Sequence, residues 1–405
     1  MNVRDVNPPR GMRDLLPASK AARERTLAVI RREFSRFGFQ EIETPAVEDL
    51  GRLTSSDGGD NEKLIFRIMK RELDPATPLG EASDLGLRFD LTVPLARYYA
   101  THRADLPAVF RSMQIGSVWR AERPQKGRYR QFTQCDLDVI GEPSSLAEME
   151  LITATLRTLE ALGLKDCQVR LNDRRLLLAM LAHCGFPEET YGRVLVIVDK
   201  LDKIGLDGVE RELRDAGYPS NAVGSMLGLV AKSEYAPGAP VDDVRAIADA
   251  VEGLHGAGTV RLDPTLVRGM GYYTGPIFEI AHPGSRSSIA GGGRYDGMIG
   301  RFAGQDVPAC GFSIGFERII ELVTLDSDDA ARVLALVYDA DVNPARLVAL
   351  QSQVIAEGWS VRLVPAAKRT SRLLDSLQAE GLAGFAFVTS QTTTYGDLSV
   401  KEWEP

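Results

Sequence analysis

Four cysteines in 405 residues leave little material for covalent stapling. Cys135, Cys167, Cys184 and Cys310 stand far apart, with neither CxxC nor Cys/His metal spacing. A disulfide framework and a structural zinc are therefore not expected, and reduced thiols fit a cytoplasmic chain. No apolar run approaches the roughly 20 residues of a membrane span. The first twenty residues, MNVRDVNPPRGMRDLLPASK, lack the apolar stretch of a signal peptide. Net positive charge is also missing: 48 Lys+Arg face 56 Asp+Glu, a formal charge of −8. That argues against a general nucleic-acid coat, while leaving room for a local basic site. Histidine is scarce, and His102, His183, His255 and His282 fall outside every motif below.

What is present is an ordinary globular composition, 44% apolar and 26% charged. The length suggests two or three domains, at about 100–200 residues each. Leu27, Ile30, Phe34 and Phe37 recur at helical spacing, which predicts an amphipathic helix over 20–37, ended by Gly38. Residues 113–123 and 129–140 read as two strands joined by PQKG, a hairpin signal. Helix is expected over 146–162, a strand at 168–173, and a helical insertion over about 174–256. Strands are expected at 259–263 and 272–280, and AGGGRYDGMIG (290–300) reads as a glycine-rich turn region. CGFSIGFERIIELV runs from a strand into a helix. LDSDDA (325–330) marks a domain boundary, beyond which strands alternate with helices, the pattern of a small α/β domain.

Within an acidic chain, Arg120, Arg123, Lys126, Arg128 and Arg130 crowd together on the hairpin. On its second strand, alternation puts Phe132, Gln134, Asp136 and Asp138 on one face and Cys135, Leu137 and Val139 on the other. A polar row on a buried strand must be hydrogen-bonded or face a wet cleft. Arg120 and Glu122 share a face of the first strand. Two readings stay open on charge alone: a solvated hairpin with surface ion pairs, or one whose guanidinium forks grip phosphate.

RAERPQKGRYRQF resembles motif 2 of the class II aminoacyl-tRNA synthetases, in the form found in the histidyl-tRNA synthetase family. CGFSIGFERI (310–319) resembles motif 3, and the first helix with ETPAVE resembles motif 1. Two further stretches, RFDLTVPLARYYA (88–100) and LVRGMGYYTGPIFE (266–279), resemble that family's histidine-recognition segments, as do RGMRDLLP, RLNDRRLL and VDKLDKIG elsewhere. The resemblance implies an α+β class II core, an antiparallel sheet flanked by helices, over residues 1–325. The helical insertion of about 174–256 belongs to it. A small anticodon-binding-like α/β domain, shortened at its end, would follow over 330–405.

The resemblance also implies chemistry. ATP, as a substrate with Mg2+, would be held by Arg120, Glu122, Phe132 and Arg318, with no metal site built from the protein. Histidine would be held by Asp90 and Thr92 at its ammonium, by Arg120 at its carboxylate, and by Gln134, Asp138, Tyr272, Tyr273 and Tyr295 around its ring. Arg268, with Arg120, would be catalytic, its fixed charge lying near the α-phosphate and the histidine. The sequence departs from the family pattern at Gly271, where Asp is usual, and at Met12, where Thr is usual. The implied activity is histidine–tRNA ligation by a cytoplasmic homodimer without membrane contact, using L-histidine, ATP and tRNA(His). A paralogue stays open as the alternative: either a ligase with a non-tRNA acceptor or a non-catalytic regulatory subunit of ATP phosphoribosyltransferase.

Overall fold

The computed structural model describes residues 6–54, 61–74, 76–78, 80–124, 127–267, 272–324 and 332–403. Two compact units divide at Leu325 and Asp326. The 325–330 linker, Lys126, Arg268 and Gly271 lie outside the described residues.

The first unit opens with helix α1 (Pro17–Arg36), whose proline occupies the first turn, where its missing N–H costs nothing. Leu27, Ile30 and Phe34 are its buried apolar face. Strands β1 (Gln40–Glu41) and β2 (Val47–Asp49) and the short helix α2 (Leu50–Thr54) follow. β3 (Arg67–Met69) and β4 (Ser83–Leu87) join β2 in a small sheet ordered β2-β4-β3. Helix α3 (Thr92–His102) precedes the hairpin strands β5 (Phe110–Trp119) and β6 (Gln131–Ile140). Next come α4 (Leu146–Ala161) and β7 (Gln168–Asp173).

The insertion is helical as expected: α5 (Arg174–Cys184), α6 (Tyr191–Val198), α7 (Leu201–Asp215), α8 (Ser220–Lys232) and α9 (Asp242–His255). Gly205, at φ 68°, breaks α7 after its first turn. The sheet then resumes with β8 (Val260–Leu262), β9 (Pro276–Ala281) and β10 (Ala290–Arg294). Helix α10 (Asp296–Ala303), β11 (Ala309–Gly315) and α11 (Phe316–Ile319) complete the described part of this unit.

Eight strands form one sheet ordered β1-β5-β6-β11-β10-β9-β7-β8, antiparallel except at its two outer pairs. Cys135, Leu137 and Val139 bury one face of β6 in a core shared with Leu27, Ile30 and Phe34 of α1. That alternation leaves Gln134, Asp136 and Asp138 on the opposite face.

Two expectations need correction. The hairpin strands end at Trp119 and begin again at Gln131, shorter than 113–123 and 129–140. Other segments take the backbone bonds there: Ala121 N–H donates to the Leu64 carbonyl (2.7 Å) and Arg130 N–H to the Gly11 carbonyl (2.8 Å). The glycine-rich stretch 290–300 is not a turn region but strand β10, between β9 and β11, followed by α10. Its glycines serve close approach rather than turning. A Cβ at Gly292 would stand 2.0 Å from the Gly311 carbonyl oxygen of the neighbouring strand.

The second unit holds β12 (Val333–Tyr338), α12 (Pro344–Ala356), β13 (Ser360–Pro365), α13 (Thr370–Ala379), β14 (Gly384–Val388) and β15 (Lys401–Glu402). Its sheet runs β13-β12-β14-β15, parallel except for β15. The apolar run VLALVY alternates into two cores, Leu334 and Leu336 on one face and Ala335 and Val337 on the other. Among the described residues, no helix is long and apolar enough to cross a membrane.

Candidate active site

The polar face of β6 forms part of the lining of a cavity of about 310 Å³, within the size range of small-molecule sites. Asp136 and Asp138 stand two residues apart on it and are both nearly fully buried. β11 faces them in register, Gly311 opposite Asp138 and Ser313 opposite Asp136. A Cβ at Gly311 would fall 2.1 Å from the Asp138 carboxylate, so only glycine leaves the carboxylate its place. Tyr295, just before α10, donates its hydroxyl to Asp138 Oδ1 at 2.5 Å. Asp138 Oδ2 has no partner among the described residues. Tyr272 packs against both Tyr273 and Tyr295, with ring centroids 4.7 and 6.1 Å apart. An aromatic wall thus flanks a carboxylate with one acceptor left without a partner among the described residues.

Asp90 comes to the same cavity from the turn before α3, where its Oδ1 accepts the Val93 N–H at 3.1 Å. Thr92 lines the cavity from the next turn. Three buried carboxylates therefore share one space. Burial pushes the Asp90 carboxyl up to about 6, against the Val93 bond and the nearby Arg120 charge. Burial likewise raises Asp138 to about 7, the Tyr295 bond opposing and Asp90 reinforcing the rise. Asp136 is driven well above the ordinary carboxylate range, by burial first and by the Asp138 charge second. Ser313 Oγ donates to Asp136 at 2.5 Å, and the Gln134 amide reaches both (3.3–3.5 Å). Such a cluster favours a cationic ligand, because a nearby cation offsets what holds the protons on: burial, and the repulsion that adds to it at Asp136 and Asp138.

The other end of the cavity is cationic. Arg120 is tied by its Nε to the Phe89 carbonyl (3.0 Å), with its guanidinium carbon 5.1 Å from the Phe132 ring centroid. Glu122 also lines this end and accepts from Arg128 at 3.3 Å. Arg318 reaches in from α11, its Nη1 donating to the Ser288 carbonyl. One cavity so offers carboxylates at one end, and forked cations beside a half-buried aromatic ring at the other. Among the described residues, no group of three or more His, Cys, Asp or Glu could hold a metal ion.

All the residues given a binding or catalytic role in the sequence line this cavity, except Arg268, which lies outside the described residues; Arg123 and Arg130 of the basic cluster do not line it. Asp136, Ser313 and Gly311 were not singled out. Asp136 had a signal, its place between Gln134 and Asp138 on one strand face. Ser313 and Gly311 reach the site only through the pairing of β6 with β11, which no local pattern announces.

This large sheet flanked by helices is the α+β core of the class II aminoacyl-tRNA synthetases. The family model "Histidyl-tRNA synthetase" matches residues 11–319. A histidine–tRNA ligase from Leifsonia xyli is 53% identical over 414 residues, 96% of each chain. One from Aeropyrum pernix is 41% identical, over 82% of this chain and 79% of that one. The crystal structure of histidyl-tRNA synthetase from Nostoc sp. superposes with a TM-score of 0.78 at 26% identity, covering 98% of this chain and 95% of that one. The chain belongs to the histidyl-tRNA synthetase family. An ATP phosphoribosyltransferase regulatory subunit/histidyl-tRNA synthetase from Bacillus halodurans shares the fold, with a TM-score of 0.77 at 20% identity over 96% of this chain and 99% of that one.

Proposed function

We propose that the chain is a histidine–tRNA ligase, which activates L-histidine with ATP to histidyl-adenylate and passes the histidyl group to tRNA(His). The observation that carries this reading is the Asp138–Tyr295 pair, in which the carboxylate keeps one acceptor oxygen without a partner among the described residues. Neutral imidazole has one donor and one acceptor nitrogen. Asp138 is proposed to accept from the donor, and Tyr273 to meet the other nitrogen. Tyr272, Tyr295 and Gln134 complete the ring pocket. Asp90 and Thr92 hold the ammonium, whose positive charge suits the carboxylate cluster.

Arg120 is proposed to bridge the histidine carboxylate and the α-phosphate, holding nucleophile and electrophile at reacting distance. Phe132 stacks on adenine, Glu122 contacts its edge, and Arg318 grips the γ-phosphate. Arg268 supplies a fixed cation to the charge that develops at the α-phosphate. Mg2+ is proposed to arrive with ATP and to stay mostly on the phosphates, a binding mode this cation favours.

Residues 1–325 are proposed as the catalytic domain, with the helical insertion of about 174–256, and residues 330–405 as the anticodon-binding domain. Its small parallel sheet with helices supports that division of labour. A cytoplasmic homodimer is the proposed setting, with motif 1 at the interface. The paralogue readings are not favoured, since relatives at 53% and 41% identity are histidine–tRNA ligases, while the likeness to the regulatory subunit concerns the fold alone.

Two assays test the proposal. Histidine-dependent ATP–pyrophosphate exchange is expected, and its absence would return the regulatory reading. Charging of total tRNA with histidine is expected next, and exchange without charging would point to another acceptor.

A further inference from the structure

Behind the cationic end of the cavity, one buried carboxylate gathers four segments of the chain. Glu317 Oε1 accepts from Arg23 Nη2 (2.7 Å) and the Thr133 amide (3.3 Å). Its Oε2 accepts from Arg23 Nη1 (2.8 Å) and Arg13 Nη2 (2.5 Å). Burial alone would raise this carboxyl, yet the bonds from Arg23 and Arg13 hold it below the ordinary range. Arg23 belongs to α1 and adds a cation–π contact at 4.6 Å to Phe316. Thr133 lies on β6, and Glu317 itself adjoins Arg318 on α11.

Arg13 is different in kind. It comes from the segment before α1, which buries almost no apolar surface: residues 6–10 and 13–16 are exposed, and Gly11 and Met12 half-buried. Yet this segment is fixed to the hairpin at three points. The Gly11 carbonyl accepts the Arg130 N–H. Gly11 itself adopts φ +85°, with the Arg130 and Pro124 side chains so close that a Cβ would meet them at 2.9 and 3.0 Å. The Arg13 guanidinium stacks on Tyr129, 3.4 Å from the ring centroid, while it bonds Glu317. Tyr129 and Glu317 both line the cavity, one on the hairpin and one beside Arg318.

We propose that Arg13 is a positioning residue: it straps residues 10–13 across the hairpin and onto Glu317, and so locks the hairpin end to the helix that carries Arg318. The two arginine-bearing walls of the nucleotide end then keep a fixed spacing before any ligand arrives. The strap acts on ATP rather than on histidine, because its contacts lie around Tyr129 and Glu317 and none reaches Asp138 or Asp90. The role of the nucleotide end rests on the ligase reading above, whereas the strap's effect on local order does not.

Arg13→Ala, Arg13→Lys and Gly11→Ala, made in the full chain, test the idea at both levels. Hydrogen exchange without ligand is expected to quicken in the peptide covering 127–133 in Arg13→Ala and Gly11→Ala, with the melting temperature and other peptides little changed. In pyrophosphate exchange, Arg13→Ala is expected to raise the KM for ATP by on the order of 10-fold, since small displacements of positioning groups have large kinetic effects. The KM for histidine should stay within about twofold of the parent. Lysine at 13 should restore part of the loss, as it keeps the ion pair but not the flat stack. Unchanged exchange at 127–133 in Arg13→Ala would overturn the strap. So would an equal rise in both KM values, or a general loss of protection, each the mark of a merely structural role. A parent without pyrophosphate exchange would sink the ligase reading instead, and the hydrogen-exchange arm would still decide the strap.

Discussion

Asp138 ties the stability of the chain to the recognition proposed for it. Its carboxyl titrates near 7 in the folded chain, raised by burial, while the unfolded chain releases that proton near pH 4. The folded state therefore holds the extra proton between about pH 4 and 7. The stability from this group is full below pH 4 and is lost as pH rises through 7. Asp138→Asn is expected to stabilise the chain at pH 8, on the order of 1–3 kcal/mol, and to flatten its melting temperature between pH 4 and 7. Recognition runs the other way, because an imidazole N–H needs the ionised acceptor. The KM for histidine is expected to fall from pH 6 to pH 8 in the parent. Asp138→Ala should raise it by about tenfold or more, from roughly 1–3 kcal/mol of lost hydrogen bonding, with the KM for ATP unmoved. A KM for histidine that ignores both pH and Asp138→Ala would remove Asp138 from the pocket. Gly311 belongs to the same argument. Gly311→Ala would drive a methyl into the carboxylate, so its defect should appear in histidine binding before it appears in folding.

At the scale of elements, the polar row on β6 was legible because strand alternation is local: Gln134, Asp136 and Asp138 point one way wherever that strand sits. The core alternation of VLALVY and the helical period of α1 were legible for the same reason. The glycine strand β10 was not. Glycine-rich stretches form turns as readily as close-packed strands, and only the neighbouring carbonyl at Gly311 decides between them. The strap at Gly11 and Arg13 and the Ser313–Asp136 bond were hidden too, since each joins segments far apart in sequence. Another such long-range tie anchors the far end of β10. Arg294 forks onto Glu148 of α4 at 2.6 and 2.8 Å, and also donates to the Glu142 and Ser144 carbonyls. Glu148 is fully buried, so Glu148→Ala would strand a guanidinium that, among the described residues, has only neutral carbonyls and Asp296 left to it. A loss of about 3–5 kcal/mol is expected in urea unfolding. Because β10 pairs directly with β11, pyrophosphate exchange should fail at a lower urea concentration in that variant than in the parent.

At the scale of the whole molecule, each unit closes its own core. The second unit packs apolar residues on both faces of its sheet, and the described residues that line the cavity belong to the first. The activation chemistry proposed for that cavity should thus need the first unit alone. Deleting 326–405 is expected to leave pyrophosphate exchange within a few-fold of the parent. Sedimentation at micromolar concentration should still give a dimer, because motif 1, the proposed seat of a two-fold contact, remains. Charging should suffer far more. A tRNA held at two linked sites loses the avidity of the second when one is removed, a factor on the order of 10² or more. Added tRNA should then recover charging only at much higher concentration. Loss of exchange on deletion would make the second unit part of the activation site. Undiminished charging would deny it a role in holding tRNA, and a monomer in both forms would take motif 1 out of any interface.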